Sequence, residues 1–230
     1  MFPLTLGIVS PSILVMFIDL HTHSVSSDDS RATVEQYVKW VGVLRRKGYR
    51  MDGFVLTEHR KFDFDKDYSS LASENDVLVL KGSELDTNCG HFLVYGVTEA
   101  LASRIDFGNV QMDATELVRV AEECGAIAVP AHPGRFGIGF CEYVGETAGF
   151  DGVQIVERLN GSNRPGEQER ADALINERGY MGTGGSDAHV VSAIGSCMTE
   201  FDGEVRSESD VVALLRAGAF RAVRLDEATV

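Results

Sequence analysis

The chain holds six histidines, and their spacing is where chemistry can be read first. His21 and His23 form an HxH pair in Ile18-Asp19-Leu20-His21-Thr22-His23, after the apolar run Ile13-Leu14-Val15-Met16-Phe17-Ile18. Such a run suits a buried strand. Side chains at i and i+2 on a strand point the same way, so His21 and His23 project together, with Asp19. Two imidazoles at a strand end make the start of a metal site. Taken alone, they fit two surface histidines equally well.

The other four histidines occupy similar places. His59 closes Gly53-Phe54-Val55-Leu56-Thr57-Glu58-His59, and His91 precedes Phe92-Leu93-Val94-Tyr95. His132 closes Ala126-Ile127-Ala128-Val129-Pro130-Ala131-His132, and His189 ends Gly184-Gly185-Ser186-Asp187-Ala188-His189. Each lies at the edge of a strand-like run or motif, none in a helical pattern. Carboxylates accompany them: Asp28 and Asp29, Glu84 after Val77-Leu78-Val79-Leu80, and Asp187. Mixed His and carboxylate ligands suit Zn, Mn or Fe, and no Cys enters the motifs, against a closed structural zinc site. The donors exceed what one ion can take.

In this order the segments resemble the PHP superfamily, named for polymerase and histidinol phosphatase. The matching stretches are Asp19-Leu20-His21-Thr22-His23 with Ser27-Asp28, Thr57-Glu58-His59, Gly82-Ser83-Glu84, Ala131-His132-Pro133 and Gly185-Ser186-Asp187-Ala188-His189. Two departures stand out: Glu58 where the family usually has Asp, and Asp29 where it usually has Gly. The resemblance implies an α/β fold, a distorted (β/α)7 barrel with its active site at the C-terminal rim. It also implies three divalent transition metals, held by His21, His23, Asp28, His59, Glu84, His91, His132, Asp187 and His189. Asp29 is a substitute for Asp28. Asp19 and Glu58 are expected to orient neighbouring imidazoles.

Such a cluster favours hydrolysis of a small phosphate ester by water that the metals activate. Asp187 and His189 are the expected catalytic pair, since a nearby His or Asp can protonate the leaving oxygen. Arg135, three residues past His132, is expected to bind a phosphate oxygen, with Arg158 and then Arg164 as weaker candidates. Two other readings remain. An amidohydrolase-type enzyme also uses HxH and a late Asp, but often has a bridging Lys, and no Lys here sits at a strand end. A non-catalytic or regulatory metal-binding PHP domain is the other.

The formal net charge of −14 disfavours a nucleic-acid partner, which needs a basic patch, and an anionic membrane surface. Cys89, Cys124, Cys141 and Cys197 are widely spaced with no CxxC, fitting reduced thiols and a cytoplasmic protein. No Lys or Arg precedes Arg31, and Pro3 and Pro11 interrupt the apolar start. Residues 1–12 are therefore expected to be an extension, not a targeting segment, of a single domain spanning 1–230.

The elements that must carry these residues alternate. Thr33–Lys47 reads as a helix with its stripe at Val34, Tyr37, Val38, Val41 and Leu44. Further helices are expected over Ala114–Cys124, Gly166–Arg178 opened by Pro165, and Ser207–Ala217. A short helix is expected within residues 61–76. Strands are expected at Gly53–Leu56, Val77–Leu80, His91–Val97, Ala126–Ala131, Gly152–Val156, Met181–Gly185 and Ala219–Leu225. Residues 133–150 should form a long loop. This alternation implies a parallel sheet.

Overall fold

The computed structural model describes residues 14–145 and 152–229. The expected extension over 1–12 lies outside them, as does part of the expected 133–150 loop.

The chain opens with strand β1 (Val15–Thr22), helix α1 (Val34–Arg46), β2 (Gly53–His59), α2 (Ser69–Asn75) and β3 (Leu78–Thr87). Helix α1 follows its stripe. Val34, Tyr37, Val38, Val41 and Leu44 are buried, and Thr33 and Gln36 form a reciprocal cap. Then come β4 (Gly90–Tyr95), α3 (Glu99–Ala102), α4 (Ala114–Glu123) and β5 (Ile127–Pro130). The chain continues through β6 (Ile155–Asn160), α5 (Glu167–Arg178), β7 (Met181–Gly185), β8 (Cys197–Asp202), α6 (Glu208–Ala217) and β9 (Phe220–Arg224).

Strands β1, β2 and β3 pair in parallel, as strand–helix–strand units require. The expected parallel sheet is interrupted beyond them. β4 folds back on β3 through a turn at Gly90, whose φ is 96°, and β5 runs antiparallel to β4. On the other side β8 is antiparallel to β1, and β9 to β8. β8 has no counterpart among the expected strands, because Cys-Met-Thr-Glu-Phe-Asp offers no clear apolar run. The resulting sheet, in the order β5-β4-β3-β2-β1-β8-β9, curls into a half-barrel. β6 and β7 form a separate two-stranded parallel sheet beside β1, where Thr22 bridges Ala188.

Burial closes one end of this curl. Val211, Val212 and Leu215 of α6 pack with Ile18, Leu20, Val55, Leu93 and Val129 from the sheet. α6 lies at the strand beginnings: its Glu208 accepts the Lys81 amide, and Arg216 donates to the Ala126 carbonyl. The C-terminal strand ends stay open at the opposite rim, as in β/α barrels whose loops carry the chemistry.

Candidate metal centre

The open rim gathers all six histidines. His21 is near the end of β1, His59 ends β2, Glu84 lies inside β3, and His91 is the second residue of β4. The expected strand at Val77–Leu80 runs on to Thr87, so Glu84 is fixed by the ladder itself. His132 and Asp187 follow β5 and β7 in the left-handed region, at φ 29° and 54°. That conformation is unfavourable for residues with a Cβ, and such strain concentrates at functional sites.

Glu84 is the hub. One carboxylate oxygen lies 3.2 Å from His21 Nε2, 3.3 Å from His23 Nε2 and 3.1 Å from His59 Nδ1. The other lies 3.1 Å from His91 Nδ1 and 2.9 Å from His132 Nε2. Asp187 faces the same space, 3.5 Å from His21 Nε2 and 3.4 Å from His23 Nε2. His189 sits 4.4 Å from His23 between ring centroids.

The pocket's field favours positive charge. Burial alone would depress the His21 pKa, but Glu157, Asp187 and Glu84 raise it well above the usual imidazole value. Burial opposes ionisation of Glu84, yet the charge on His21 and hydrogen bonds from His132, His21 and His23 hold its carboxyl well below the usual range. Asp187 is likewise held low against its burial, by His21 and His23. His132 moves the other way, depressed by burial despite Glu84. Its buried Nδ1 has no hydrogen-bond partner among the described residues.

The donors fit metal ions. Ligand atoms lie within 4.8 Å of one another in each of three trios: His21, His23 and Glu84; His23, His59 and His189; Glu84, His91 and His132. Imidazole nitrogens 3.0 Å apart, as at His21 and His23, share one small space that a cation would reconcile.

Several expected residues are placed differently. Asp28 does not reach the cluster: its side chain is 78% exposed and pairs with Arg60 at 3.6 Å. Asp29 takes that place, 3.3 Å from His59 Nε2 and 3.2 Å from His189 Nε2. Asp19 orients backbone instead of an imidazole, accepting the amides of Ser186 and Gly195 at 2.8 Å each. Its full burial raises its pKa to about 6 despite these bonds. Glu58 reaches His23 only through Ser27, which donates to Glu58 at 2.5 Å and lies 3.5 Å from His23 Nδ1. Arg135 is at the rim and donates to Asp187 at 2.7 Å. Arg158 is not brought there: it alternates outward on β6 and binds Asp172 at 2.8 Å. Arg164 is exposed in the β6–α5 loop, and its amide donates to Glu167.

The sequence singles out Glu157-Arg158-Leu159-Asn160 but assigns Glu157 and Asn160 no role, because the expected strand ends at Val156. On a regular strand, residues three apart face opposite sides. A register shift between Glu157 and Leu159 turns both Glu157 and Asn160 inward. An acid closing the run Val153-Gln154-Ile155-Val156 was the available signal, since a buried carboxylate needs partners.

Together these features define an α/β half-barrel with a histidine- and carboxylate-lined rim suited to metal ions. Residues 165–220 match the family model described as PHP-associated. The fold matches a two-domain protein from Bacteroides vulgatus containing a predicted PHP-like metal-dependent phosphoesterase. The identity is 20% and the TM-score 0.60, over 93% of this chain and 66% of that one. It also matches the lesion-specific endonuclease PfuEndoQ from Pyrococcus furiosus. There the identity is 14% and the TM-score 0.67, over 91% of this chain and 58% of that one. An amidohydrolase from Chromobacterium violaceum, solved with sulfate and no metal, matches at 16% identity and TM-score 0.56, over 90% and 97%. No curated protein matches the sequence. The family match thus covers one segment of the chain, and the fold of the rest is shared with these proteins. Among the described residues, no helix is long and apolar enough to cross a membrane.

Proposed function

We propose that this protein is a metal-dependent phosphoesterase acting on a small phosphorylated molecule with three divalent transition metals. The reading rests chiefly on Glu84, whose two oxygens divide five imidazoles into two groups, as a carboxylate shared between ions would. In this reading the three donor trios hold the ions, with Asp29 and Asp187 completing them. Bound ions would supply Lewis acidity to a phosphoryl oxygen and to the attacking water. Arg135 binds a phosphate oxygen on leaving Asp187. Asp187 couples that cation to the ligand set, and His189, 29% exposed at the mouth, would meet the leaving group.

Two observations bear on substrate class. The net charge of −14 disfavours a nucleic-acid substrate despite the fold shared with an endonuclease. Lys81, on β3, donates to the Asp63 and Lys66 carbonyls away from the cluster, so it is no bridging lysine of the amidohydrolase kind. All four cysteines are free, which favours a reducing compartment such as the cytoplasm.

The test is a screen of metal-replete protein against mononucleotides, sugar phosphates, cyclic phosphodiesters, abasic-site duplex DNA and amides, alongside elemental analysis. Phosphate release from a small ester, with more than one metal per chain, is expected. Amide cleavage without phosphate release, or incision of DNA alone, would replace this reading. At most one ion after reconstitution with Zn, Mn or Fe would reject the three-metal site.

A further inference from the structure

Glu157 is buried in the small β6–β7 sheet, which among the described residues joins the main sheet by no strand ladder. Its carboxylate spans that gap. One oxygen lies 2.9 Å from His21 Nδ1 on β1. The other accepts the backbone amide of His132 at 2.7 Å and the Asn160 side-chain amide at 2.9 Å. Glu157 thus holds the ring of one histidine of the cluster and the left-handed backbone of another. The packing leaves no slack, since a Cβ on Gly185 would meet His21 Cβ at 2.4 Å and Glu157 Oε1 at 2.7 Å.

We infer that Glu157 is a positioning residue that fixes the His21 tautomer, keeping the ring proton on Nδ1 so that the Nε2 lone pair faces the cluster. The inference rests on the metal-site reading above. A carboxylate only accepts hydrogen bonds, so the His21 nitrogen beside it must donate. The other ring nitrogen, Nε2, faces Glu84 at 3.2 Å and His23 at 3.0 Å; with a cation held in that space, the proton kept on Nδ1 leaves the Nε2 lone pair as its ligand. The same carboxylate fixes the His132 amide, so one side chain sets two arms of the site.

The isosteric variant Glu157→Gln separates this from simple packing. Two N–H donors converge on one oxygen position, so a glutamine keeps its carbonyl there and turns its NH2 toward His21 Nδ1. His21 must then accept at Nδ1 and carry its proton on Nε2, where the ion should bind. Loss of such a supporting partner costs about 10- to 100-fold in metal affinity. The experiment uses zinc, which is diamagnetic, and the full chain. Competition with a chromophoric chelator should show that Glu157→Gln binds at least one zinc about 10- to 100-fold more weakly than wild type. Nitrogen-15 ring spectra should show the His21 proton on Nδ1 in zinc-loaded wild type and on Nε2 in metal-free Glu157→Gln.

Zinc affinities within threefold of wild type, or an unmoved ring proton in the variant, would overturn the inference. The wild-type spectrum tests it even if the variant does not fold: a proton on Nε2 there overturns it too. No readout uses a substrate. Wild type that binds no zinc refutes the metal-site reading; normal wild-type binding with an indifferent variant refutes only the role of Glu157.

Discussion

The site has two halves, built by different means. His21, His59, Glu84 and His91 lie on β1 to β4, where ladders, unbroken across β2, β3 and β4 and shifted in register only between Asp19 and Thr22, set each side chain's height and direction. His132, Asp187 and His189 come from loops leaving β5 and β7, and two of the three, His132 and Asp187, have positive φ. Their positions depend on isolated bonds, several from side chains: Glu157 to the His132 amide, Asp19 to the Ser186 amide and Arg135 to Asp187, beside single backbone bonds such as the Asp187 amide to the His21 carbonyl. A ladder distributes its energy over many backbone bonds of about 0.5–1.5 kcal/mol each. A single buried bond has no such redundancy. The first half should tolerate loss of one side-chain contact better than the second, except where a side chain serves both.

Glu84 is that exception, and its loss should have the largest effect. It lies on the ladder side but touches His132 from the other. Replacing Glu84 by Gln removes the charge shared by two donor trios, while the trio of His23, His59 and His189 keeps its own ligands. Metal content should fall to at most one ion per chain, and phosphoesterase turnover by about a thousandfold or more, the several kcal/mol that metal ions contribute. Full metal content in Glu84→Gln would show that the two halves hold their ions independently of this carboxylate.

The same division governs what was legible in the sequence. The first half could be read because period and motif coincide there: an apolar run, then His21 and His23 two apart on one face. The Val34–Leu44 stripe of α1 was legible for the same reason. Asp28 and Asp29 were not separable, since adjacent loop residues carry no period. The loop aims Asp29 at His59 and Asp28 at Arg60. Glu157 and Asn160 were hidden because a register shift breaks the alternation that would have placed them. β8 escaped notice because its partners β1 and β9 are set by tertiary pairing, which overrides weak strand propensity.

Arg135 and Arg158 sharpen the contrast at the level of binding. Arg135, 24% exposed, faces Asp187 in the site, whereas Arg158, 47% exposed, faces Asp172 outside it. Arg135→Ala should lower kcat/KM by one to two decades, about 1.5–3 kcal/mol for a lost charge-assisted bond, with metal content unchanged. Lys should rescue only partly, lacking the bidentate fork. The loss should be larger for a substrate with two phosphates. Arg158→Ala should leave kcat/KM as it was. Equal values for wild type and Arg135→Ala on every phosphorylated substrate would make Arg135 an ordinary rim residue.

The smallest effect on activity, and the sharpest on the comparison, concerns two buried threonines. Thr199 on β8 holds β7 at two points: its hydroxyl accepts the Gly184 amide at 2.8 Å and donates to the Gly184 carbonyl at 3.0 Å. Thr57 on β2 donates to the Thr22 carbonyl at 3.3 Å, alongside the β1–β2 ladder, which pairs Thr22 with Leu56. Valine matches the shape of threonine but neither donates nor accepts. Thr199→Val strands a buried amide, which costs about 1–3 kcal/mol. Thr57→Val strands no donor and loses one long bond, so it should cost about 1 kcal/mol or less. Each kcal/mol corresponds to roughly 2–4 °C in Tm for a chain of this size. Thermal unfolding of the two metal-free variants side by side reads the difference directly. A Thr57→Val loss equal to or greater than that of Thr199→Val would mean that the ladder to β6, and not Thr199, fixes β7. The supposed fragility of the second half of the site would then have no physical basis.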